Sequence, residues 1–371
     1  MMDDKCFFFA GGGTGGHIYP ALAVAEQLIK ISPGSKVHFF CSNRSIDERI
    51  LGQTDFEYTR LKAEGFSMRP DRFIGFCRSL LSNCRIAKEL IGNSKKSVVV
   101  GAGGFVSAPV CLAAHRLKRP IVLLNVDIVP GRANRLIARW ASRIFLQFEE
   151  AGRYLTRYGA KVEVVGCPLR SGFANPQPGK VVEQLGLDRE KKILLITGAS
   201  SGSENINTAV CSLLGKLDAF ANEWQIVHLA GQNNAARVES WYRGVKIGYI
   251  ILGYFDDMAS LLAAADLVIG RSGAVSVAEF AAAAVPSICM PYPYHKDRHQ
   301  CLNAGKLVEA GAAIIVDDLP DEKDRAEWLW EELEGLMRDN EKRREMKENC
   351  LAFAKKDAAL KIAEKLIEIG G

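Results

Sequence analysis

The 371-residue sequence lacks the features that would place a protein in a membrane, in an oxidising compartment or on a polynucleotide. No run of about 18 apolar residues occurs, so no segment is expected to cross a bilayer as a helix. Met1-Met2-Asp3-Asp4 has no basic leader and passes directly into Cys6-Phe7-Phe8-Phe9, so no secretory signal is expected either. Net charge is only +5, without the strong basic excess of a nucleic-acid binder. Ten cysteines are scattered from Cys6 to Cys350 with no C-x-x-C pair, which argues against a zinc site and a dithiol redox motif. Thiols buried as small hydrophobes in a reducing cytosol are the expectation.

What the chain does contain is apolar: 48% of its residues are hydrophobic, enough at this length for two cores. Short β-rich runs alternate with 3.6-period helical patterns. Strands are expected at Cys6–Ala10, Val37–Cys41, Val98–Val100, Ile121–Leu124, Ile144–Gln147 and Val162–Val165. The alternation restarts at Ile193–Thr197, Gln225–Leu229, Ile250–Leu252, Leu267–Ile269, Ser287–Met290 and Ala313–Val316. Such alternation gives βαβ units and parallel sheets, so the fold class is α/β with two Rossmann-like, doubly wound domains. Expected bounds are 1–165 for the first domain, a Pro- and Gly-rich hinge at 166–190, the second domain at 191–345, and a C-terminal helix at 346–371 that packs back on the first. Ligands are expected at the carboxyl ends of the strands.

Three glycine-rich loops follow strands. The first, Gly11-Gly12-Gly13-Thr14-Gly15-Gly16-His17, turns tightly and aims a helix N-terminus at a ligand. It matches the dinucleotide fingerprint at Gly11, Gly13 and Gly16, but the second strand ends Cys41-Ser42-Asn43-Arg44 without the acidic residue that a dinucleotide ribose needs. No lysine follows the glycines, which excludes a P-loop. The second loop is Gly101-Ala102-Gly103-Gly104-Phe105-Val106-Ser107-Ala108-Pro109 and the third Gly198-Ala199-Ser200-Ser201-Gly202-Ser203. One such loop is ordinary helix-on-strand packing. Three at carboxyl strand ends point to a shared polar ligand.

The densest signal is Gly270-Arg271-Ser272-Gly273-Ala274-Val275-Ser276-Val277-Ala278-Glu279, followed by Pro291-Tyr292-Pro293-Tyr294-His295-Lys296-Asp297-Arg298-His299-Gln300-Cys301-Leu302-Asn303-Ala304. Small residues open a helix N-terminus for a diphosphate. Glu279, within an otherwise apolar helix, is placed to accept two ribose hydroxyls rather than to lie unpaired. Taken in order, Gly11–Pro20, Gly103–Pro109, Gly198–Ser203, Phe255-Asp256-Asp257-Met258, Arg271–Glu279 and His295–Ala304 resemble the MurG-type glycosyltransferases, which transfer N-acetylglucosamine from its UDP conjugate to undecaprenyl-diphospho-muramoylpentapeptide. The resemblance implies a GT-B architecture whose two domains face a cleft, inversion at the anomeric carbon, no cofactor and no catalytic metal. No Asp-x-Asp triplet occurs in the chain, in keeping with the last point.

Carried onto this numbering, the resemblance implies that Gly13, Thr14, Gly15, His17, Gly104 and Phe105 meet a lipid-linked diphosphate acceptor, with His17 as general base, kept neutral by the adjoining helix dipole. It places Thr14, Gly15, Gly16, Asp127, Arg170, Ser200, Phe255, Ala274, Val275, Glu279 and Gln300 at the donor. Two positions depart from the family pattern. Asp127 stands where an asparagine meets the donor sugar, so it accepts but, when ionised, does not donate; it is also the alternative catalytic base. His299-Gln300 stands in place of Gln-Gln. Alternatives are a divergent GT-B transferase with another acceptor, a UDP-N-acetylglucosamine 2-epimerase and a degenerate binding module; the epimerase needs several acidic groups, of which Glu279 and Asp127 are the obvious ones. Between Arg69 and Lys96 seven basic residues outnumber two acidic ones, and Phe73, Phe76, Leu80, Cys84, Ala87 and Ile91 recur at helical spacing. That face is either a peripheral contact with an anionic membrane, on the inner side of the cell membrane, or an ordinary helix packed on the sheet.

Overall fold

The computed structural model describes residues 5–62, 70–199 and 202–370. The chain divides into two compact units, residues 1–170 with 356–371, and residues 171–355. The first holds strands β1 (Cys6–Ala10), β2 (Lys36–Ser42), β3 (Glu57–Leu61), β4 (Ser97–Gly101), β5 (Ile121–Asn125), β6 (Arg143–Leu146) and β7 (Val162–Val164), interleaved with helices α1 (Gly15–Ile31), α2 (Ser45–Leu51), α3 (Pro70–Gly92), α4 (Ser107–Arg116) and α5 (Arg132–Ile137). The strands lie in one parallel sheet of order β3-β2-β1-β4-β5-β6-β7. Its central strands are buried on both faces, as the unbroken apolar runs Phe7-Phe8-Phe9 and Val98-Val99-Val100 require. One face packs Phe7, Phe9 and Val100 against α1, the other Phe8, Phe40 and Val99 against α3 and α4.

Among the described residues, β3 is the one strand that hydrophobic patterning misses. Glu-Tyr-Thr-Arg-Leu buries only Leu61 fully, because an edge strand needs no continuous apolar run. The C-terminal part of the α3 stripe packs inward, and Phe76 and Leu80 are half-buried. Cys84, Ala87 and Ile91 are buried in the core beside α4, while Leu81, 64% exposed, and Ile86 face outward among the exposed Arg78, Arg85 and Lys88. Phe73 and the basic residues Arg69 and Arg72 fall outside the described side chains.

The second unit contains α6 (Pro178–Gln184), β8 (Lys192–Thr197), α7 (Glu204–Ser212), α8 (Leu214–Leu217), β9 (Trp224–Leu229), α9 (Ala235–Trp241), β10 (Gly248–Leu252), α10 (Met258–Ala264), β11 (Leu267–Gly270), α11 (Ala274–Ala282), β12 (Ser287–Cys289), α12 (His299–Glu309), β13 (Ala313–Ile315), α13 (Glu322–Arg338) and α14 (Asn340–Phe353). Its parallel sheet has the order β10-β9-β8-β11-β12-β13. The proline-rich stretch read as a hinge is largely part of this unit: Phe173 and Val181 are buried, and the Gln177 N–H donates to Ser260 Oγ at 2.8 Å. The stretch 346–371 forms two helices rather than one. α14 stops at Phe353, the charged Lys355-Lys356-Asp357 interrupts the apolar period, and α15 (Ala358–Gly370) buries Ile362, Ala363 and Leu366 in the first unit beside Phe7 and Val98.

Candidate active site

In each sheet the order of connection reverses beside the first strand of the unit, between β1 and β4 and between β8 and β11. Ligands of parallel α/β sheets bind outside the carboxyl ends of the strands at such a point. In the first unit two glycine loops meet there. Gly103 and Gly104 have φ of 103° and 78°, and a Cβ on Gly104 would fall 2.5 Å from the Gly12 carbonyl oxygen. A Cβ on Gly103 would fall 2.7 Å from His17 Cδ2, so the second loop lies directly against the histidine ring. Only glycine tolerates both the left-handed backbone and that approach.

His17 sits on the first turn of α1. Its Nδ1 lies 3.2 Å from the Gly12 carbonyl oxygen and 3.3 Å from Thr14 Oγ1. A carbonyl oxygen only accepts, so Nδ1 carries the hydrogen and Nε2 keeps the lone pair that a base needs. The loop beneath is fixed by Asp47, fully buried at the third residue of α2, which accepts from Gly13 N–H at 2.9 Å, Ser42 N–H at 2.8 Å and the Ser42 hydroxyl at 2.6 Å. Arg44 Nη1 donates to the Gly13 carbonyl at 2.8 Å. Three donors satisfy the buried carboxylate, and the glycine run is held from below rather than left loose.

In the second unit, Gly198 and Gly202 shape the third loop: a Cβ on Gly202, at φ 74°, would meet the Ala230 carbonyl oxygen at 2.3 Å, and one on Gly198 would meet the Ser203 nitrogen at 2.1 Å. Ala199 also adopts a positive φ of 61°, a costly conformation that loops at functional sites retain. Below it lies a buried polar chain. Asn207 Nδ2 donates to the Ala230 carbonyl at 3.0 Å, its Oδ1 accepts from His228 Nε2 at 3.0 Å, and His228 Nδ1 lies 3.0 Å from the Tyr242 hydroxyl. Because Nε2 donates, Nδ1 accepts the tyrosine hydrogen. Burial alone lowers the His228 pKa to about 3.

Arg271 is the hub of this unit's loops. Nη2 lies 2.8 Å from Asp318 Oδ2 and donates to Ser203 Oγ at 2.7 Å; Nη1 donates to the carbonyls of Met290 at 2.9 Å and Pro291 at 3.2 Å. Asp318, also buried, accepts from Asn205 Nδ2 at 2.8 Å and faces Arg325 at 3.5 Å. One guanidinium therefore joins the segments that follow β8, β11, β12 and β13. On the adjoining segment, Gln300 Oε1 accepts from Tyr292 N–H at 3.0 Å and its carbonyl accepts from Ser272 Oγ at 3.0 Å, and the Gln300 amide hydrogens have no acceptor among the described residues. Arg298 precedes α12 in a left-handed conformation with φ 49°. His299 Nδ1 is 2.7 Å from Asp297 Oδ1. Partial burial pushes the Asp297 carboxyl up, but the His299 hydrogen bond and charge outweigh it and hold the group below its ordinary value.

The structure thus gathers Gly13, Thr14, Gly15, Gly16, His17 and Gly104 in the first unit, with Phe105 exposed at the loop tip. In the second unit, Ala274 and Val275 open α11, half-buried Glu279 lies within it, Gln300 begins α12, and half-buried Phe255 lies between β10 and α10. Ser200 lies outside the described residues. Arg170 stacks over the Tyr19 ring at 4.2 Å, a contact not foreseen for a cleft arginine. Asp127 is reached through its backbone: Asn125 Nδ2 donates to its carbonyl at 2.7 Å, and Asn125 Oδ1 accepts from Asn134 Nδ2 at 2.9 Å. Sequence reasoning did not single out Asp47, Asn125, Asn134, Asn207, His228 or Asp318, whose isolated polar positions carry no periodic signal.

Two sequence profiles match the chain, the glycosyltransferase family 28 N-terminal domain over residues 7–146 and the glycosyltransferase family 28 C-terminal domain over residues 193–362. The chain belongs to glycosyltransferase family 28. Among curated relatives of this family 28 enzyme, the UDP-N-acetylglucosamine–N-acetylmuramyl-(pentapeptide) pyrophosphoryl-undecaprenol N-acetylglucosamine transferase of Halothermothrix orenii is 38% identical over 84% of this chain and 85% of its own length. The protein of the same name from Chlorobium limicola is 34% identical over 97% and 98%. Among solved structures, Acinetobacter baumannii MurG superposes with a TM-score of 0.73 at 22% identity, covering 98% of this chain and 99% of that one. The Neisseria meningitidis UDP-GlcNAc 2-epimerase superposes with 0.71 at 16% identity, covering 98% and 100%. The structural likenesses establish the GT-B fold, which transferases and epimerases share.

Proposed function

We propose that this family 28 enzyme transfers N-acetylglucosamine from UDP-N-acetylglucosamine to a lipid-linked muramoylpentapeptide diphosphate. The observation that carries this reading is the identity of 38% and 34% with transferases of that printed name over most of both chains. The site chemistry agrees with it. On the second unit, the open N-terminus of α11 and the Gly198–Ser203 loop offer backbone donors to a diphosphate, and Glu279 offers a carboxylate to ribose hydroxyls. On the first unit, His17 Nε2 takes the proton of the acceptor hydroxyl while its oxygen attacks the anomeric carbon. The bond to UDP breaks with its electron pair on the diphosphate, so the configuration inverts. Backbone N–H groups and helix dipoles stabilise that leaving charge, and we infer that no metal is required.

A lipid-borne acceptor calls for contact with the membrane that carries it. The exposed Leu81 and Ile86 beside Arg78, Arg85 and Lys88 on α3 fit peripheral docking on the anionic inner face of the cell membrane. Incubation with radiolabelled UDP-N-acetylglucosamine and a lipid-diphosphate muramoylpentapeptide, with and without EDTA, tests the reading. A labelled lipid product at equal rate in both is expected. Label recovered as N-acetylmannosamine, free or on UDP, would mean epimerisation, and loss of turnover in EDTA restored by magnesium would mean a metal-dependent step.

A further inference from the structure

The network behind His17 ends on an atom that no described residue satisfies. Asn134, on the first turn of α5, is 8% exposed, and its Oδ1 is buried with no hydrogen-bond partner among the described residues. Its orientation is forced. Nδ2 donates to Asn125 Oδ1 at 2.9 Å and points at the Leu124 carbonyl at 3.5 Å, while Asn125 Nδ2 is itself spent on the Asp127 carbonyl. A flipped Asn134 amide would set its oxygen against two acceptors. An orphaned buried carbonyl is costly, and native proteins keep few of them without a purpose. The space it faces is the one that Gly103 leaves open: the point a Gly103 Cβ would occupy is 3.5 Å from Asn134 Oδ1 and 3.0 Å from His17 Nε2.

We propose that Asn134 is a positioning residue for His17, resting on the reading of His17 as general base. The acceptor hydroxyl gives its proton to Nε2 as its oxygen bonds to the anomeric carbon and the UDP diphosphate departs with the electron pair. As that oxygen withdraws, the new Nε2–H turns to Asn134 Oδ1, while Nδ1–H stays on the Gly12 carbonyl. Two fixed acceptors then flank the imidazolium, one for each N–H, and the glycine at 103 is what gives the second acceptor access to the ring. The chain Asp127 carbonyl, Asn125, Asn134 fixes which way that acceptor points. The charged side chains on the neighbouring loops are Asp47 and Arg44, both tied to Gly13, with Asp127 at the far end of the asparagine pair.

The test compares pH–rate profiles of the full chain with Asn134→Leu and Asn134→Asp. Leucine removes the acceptor at similar size; kcat is expected to fall roughly 10- to 100-fold with UDP affinity unchanged. Aspartate keeps an acceptor towards His17 and adds charge but sets its second oxygen against Asn125 Oδ1 and the Leu124 carbonyl, so it is read by the acidic limb of kcat/KM rather than by kcat; that limb is expected to move up by about one pH unit, because the imidazolium is stabilised. An aspartate variant with the wild-type limb position, or a leucine variant with wild-type kcat, would reduce Asn134 to a structural role and overturn the proposal. Introduced into His17→Ala, Asn134→Leu is expected to cost nothing further; an additive loss would also overturn it. His17→Ala with near wild-type turnover would instead remove the base reading on which the proposal rests. Asn134→Gly, with UDP affinity and the melting temperature measured alongside, separates a lost acceptor from a misfolded loop.

Discussion

Acidification should weaken the second unit in a way that His228 controls. This ring is fully buried and neutral, wedged between Asn207 and Tyr242, with its pKa lowered by burial from 6.5 to about 3. In the unfolded chain it titrates normally. Between those values the unfolded state binds a proton that the folded state refuses, so the stability present above pH 6.5 is lost progressively as pH falls towards 3. For one such group the loss is about 2 kcal/mol at pH 5 and approaches roughly 4–5 kcal/mol at pH 3. Four of the five tryptophans, Trp224, Trp241, Trp328 and Trp330, lie in this unit, so urea unfolding followed by tryptophan fluorescence reports mainly on it. His228→Gln removes the titrating ring and keeps an amide donor for Asn207. Wild type should lose about 2 kcal/mol more than the variant between pH 7.5 and pH 5. The comparison cancels other groups, including His38 in the first unit, whose pKa burial also lowers. Equal losses would refute the reasoning and mean that the ring is protonated, or already exposed, in the folded chain.

Arg271→Met leaves Asp318 with Arg325 alone and strips donors from Ser203, Met290 and Pro291; destabilisation of about 3–5 kcal/mol by urea unfolding is expected, with UDP binding weakened in parallel. A change under 1 kcal/mol would show that the hub does not organise these loops. Glu279→Ala should weaken UDP binding by about 1–3 kcal/mol in calorimetry, the cost of unpaired ribose hydroxyls; unchanged affinity would remove Glu279 from the donor site. Arg85→Gln with Lys88→Gln should reduce cosedimentation with vesicles containing anionic lipid, by about 1 kcal/mol per charge, and leave neutral vesicles unaffected. Retained binding to anionic vesicles would move the docking surface elsewhere.

Most of the fold was legible because buried parallel strands must be continuous apolar runs, as Phe7-Phe8-Phe9 and Val98-Val99-Val100 are, and twelve of the thirteen strands among the described residues fall on β-rich runs read from the sequence. β3 does not, since an edge strand exposes Glu57 and Arg60. The glycine loops were legible for a local reason, as were Ala274 and Gln300 through their motif: a backbone that must approach another group needs glycine or a small residue wherever the fold is built. The supports beneath them were not. Asp47 acts on Gly13, 34 positions away, and Asp318 on Asn205, 113 positions away, while Asn134 and His228 act through other polar side chains, Asn125, Asn207 and Tyr242. No spacing rule links such residues. Arg271 shows the limit from the other side: its motif marked it, but its contacts place it behind the loops rather than among a ligand's partners. The α3 stripe left two readings open because a helix packed on a sheet and one laid on a membrane share a period, and only burial separates Cys84 and Ile91 from Leu81 and Ile86.

The measurement closest to the central claim is turnover of labelled UDP-N-acetylglucosamine onto the lipid acceptor by His17→Ala, with UDP affinity measured on the same preparation. His17 Nδ1 is committed to the Gly12 carbonyl, so Nε2 is the nitrogen proposed as the base, and losing it should cut kcat by roughly 10²- to 10⁴-fold. UDP affinity should hardly change, because the diphosphate and ribose contacts are proposed on the second unit. Turnover within a few-fold of wild type would contradict the account and pass the base to Asp127.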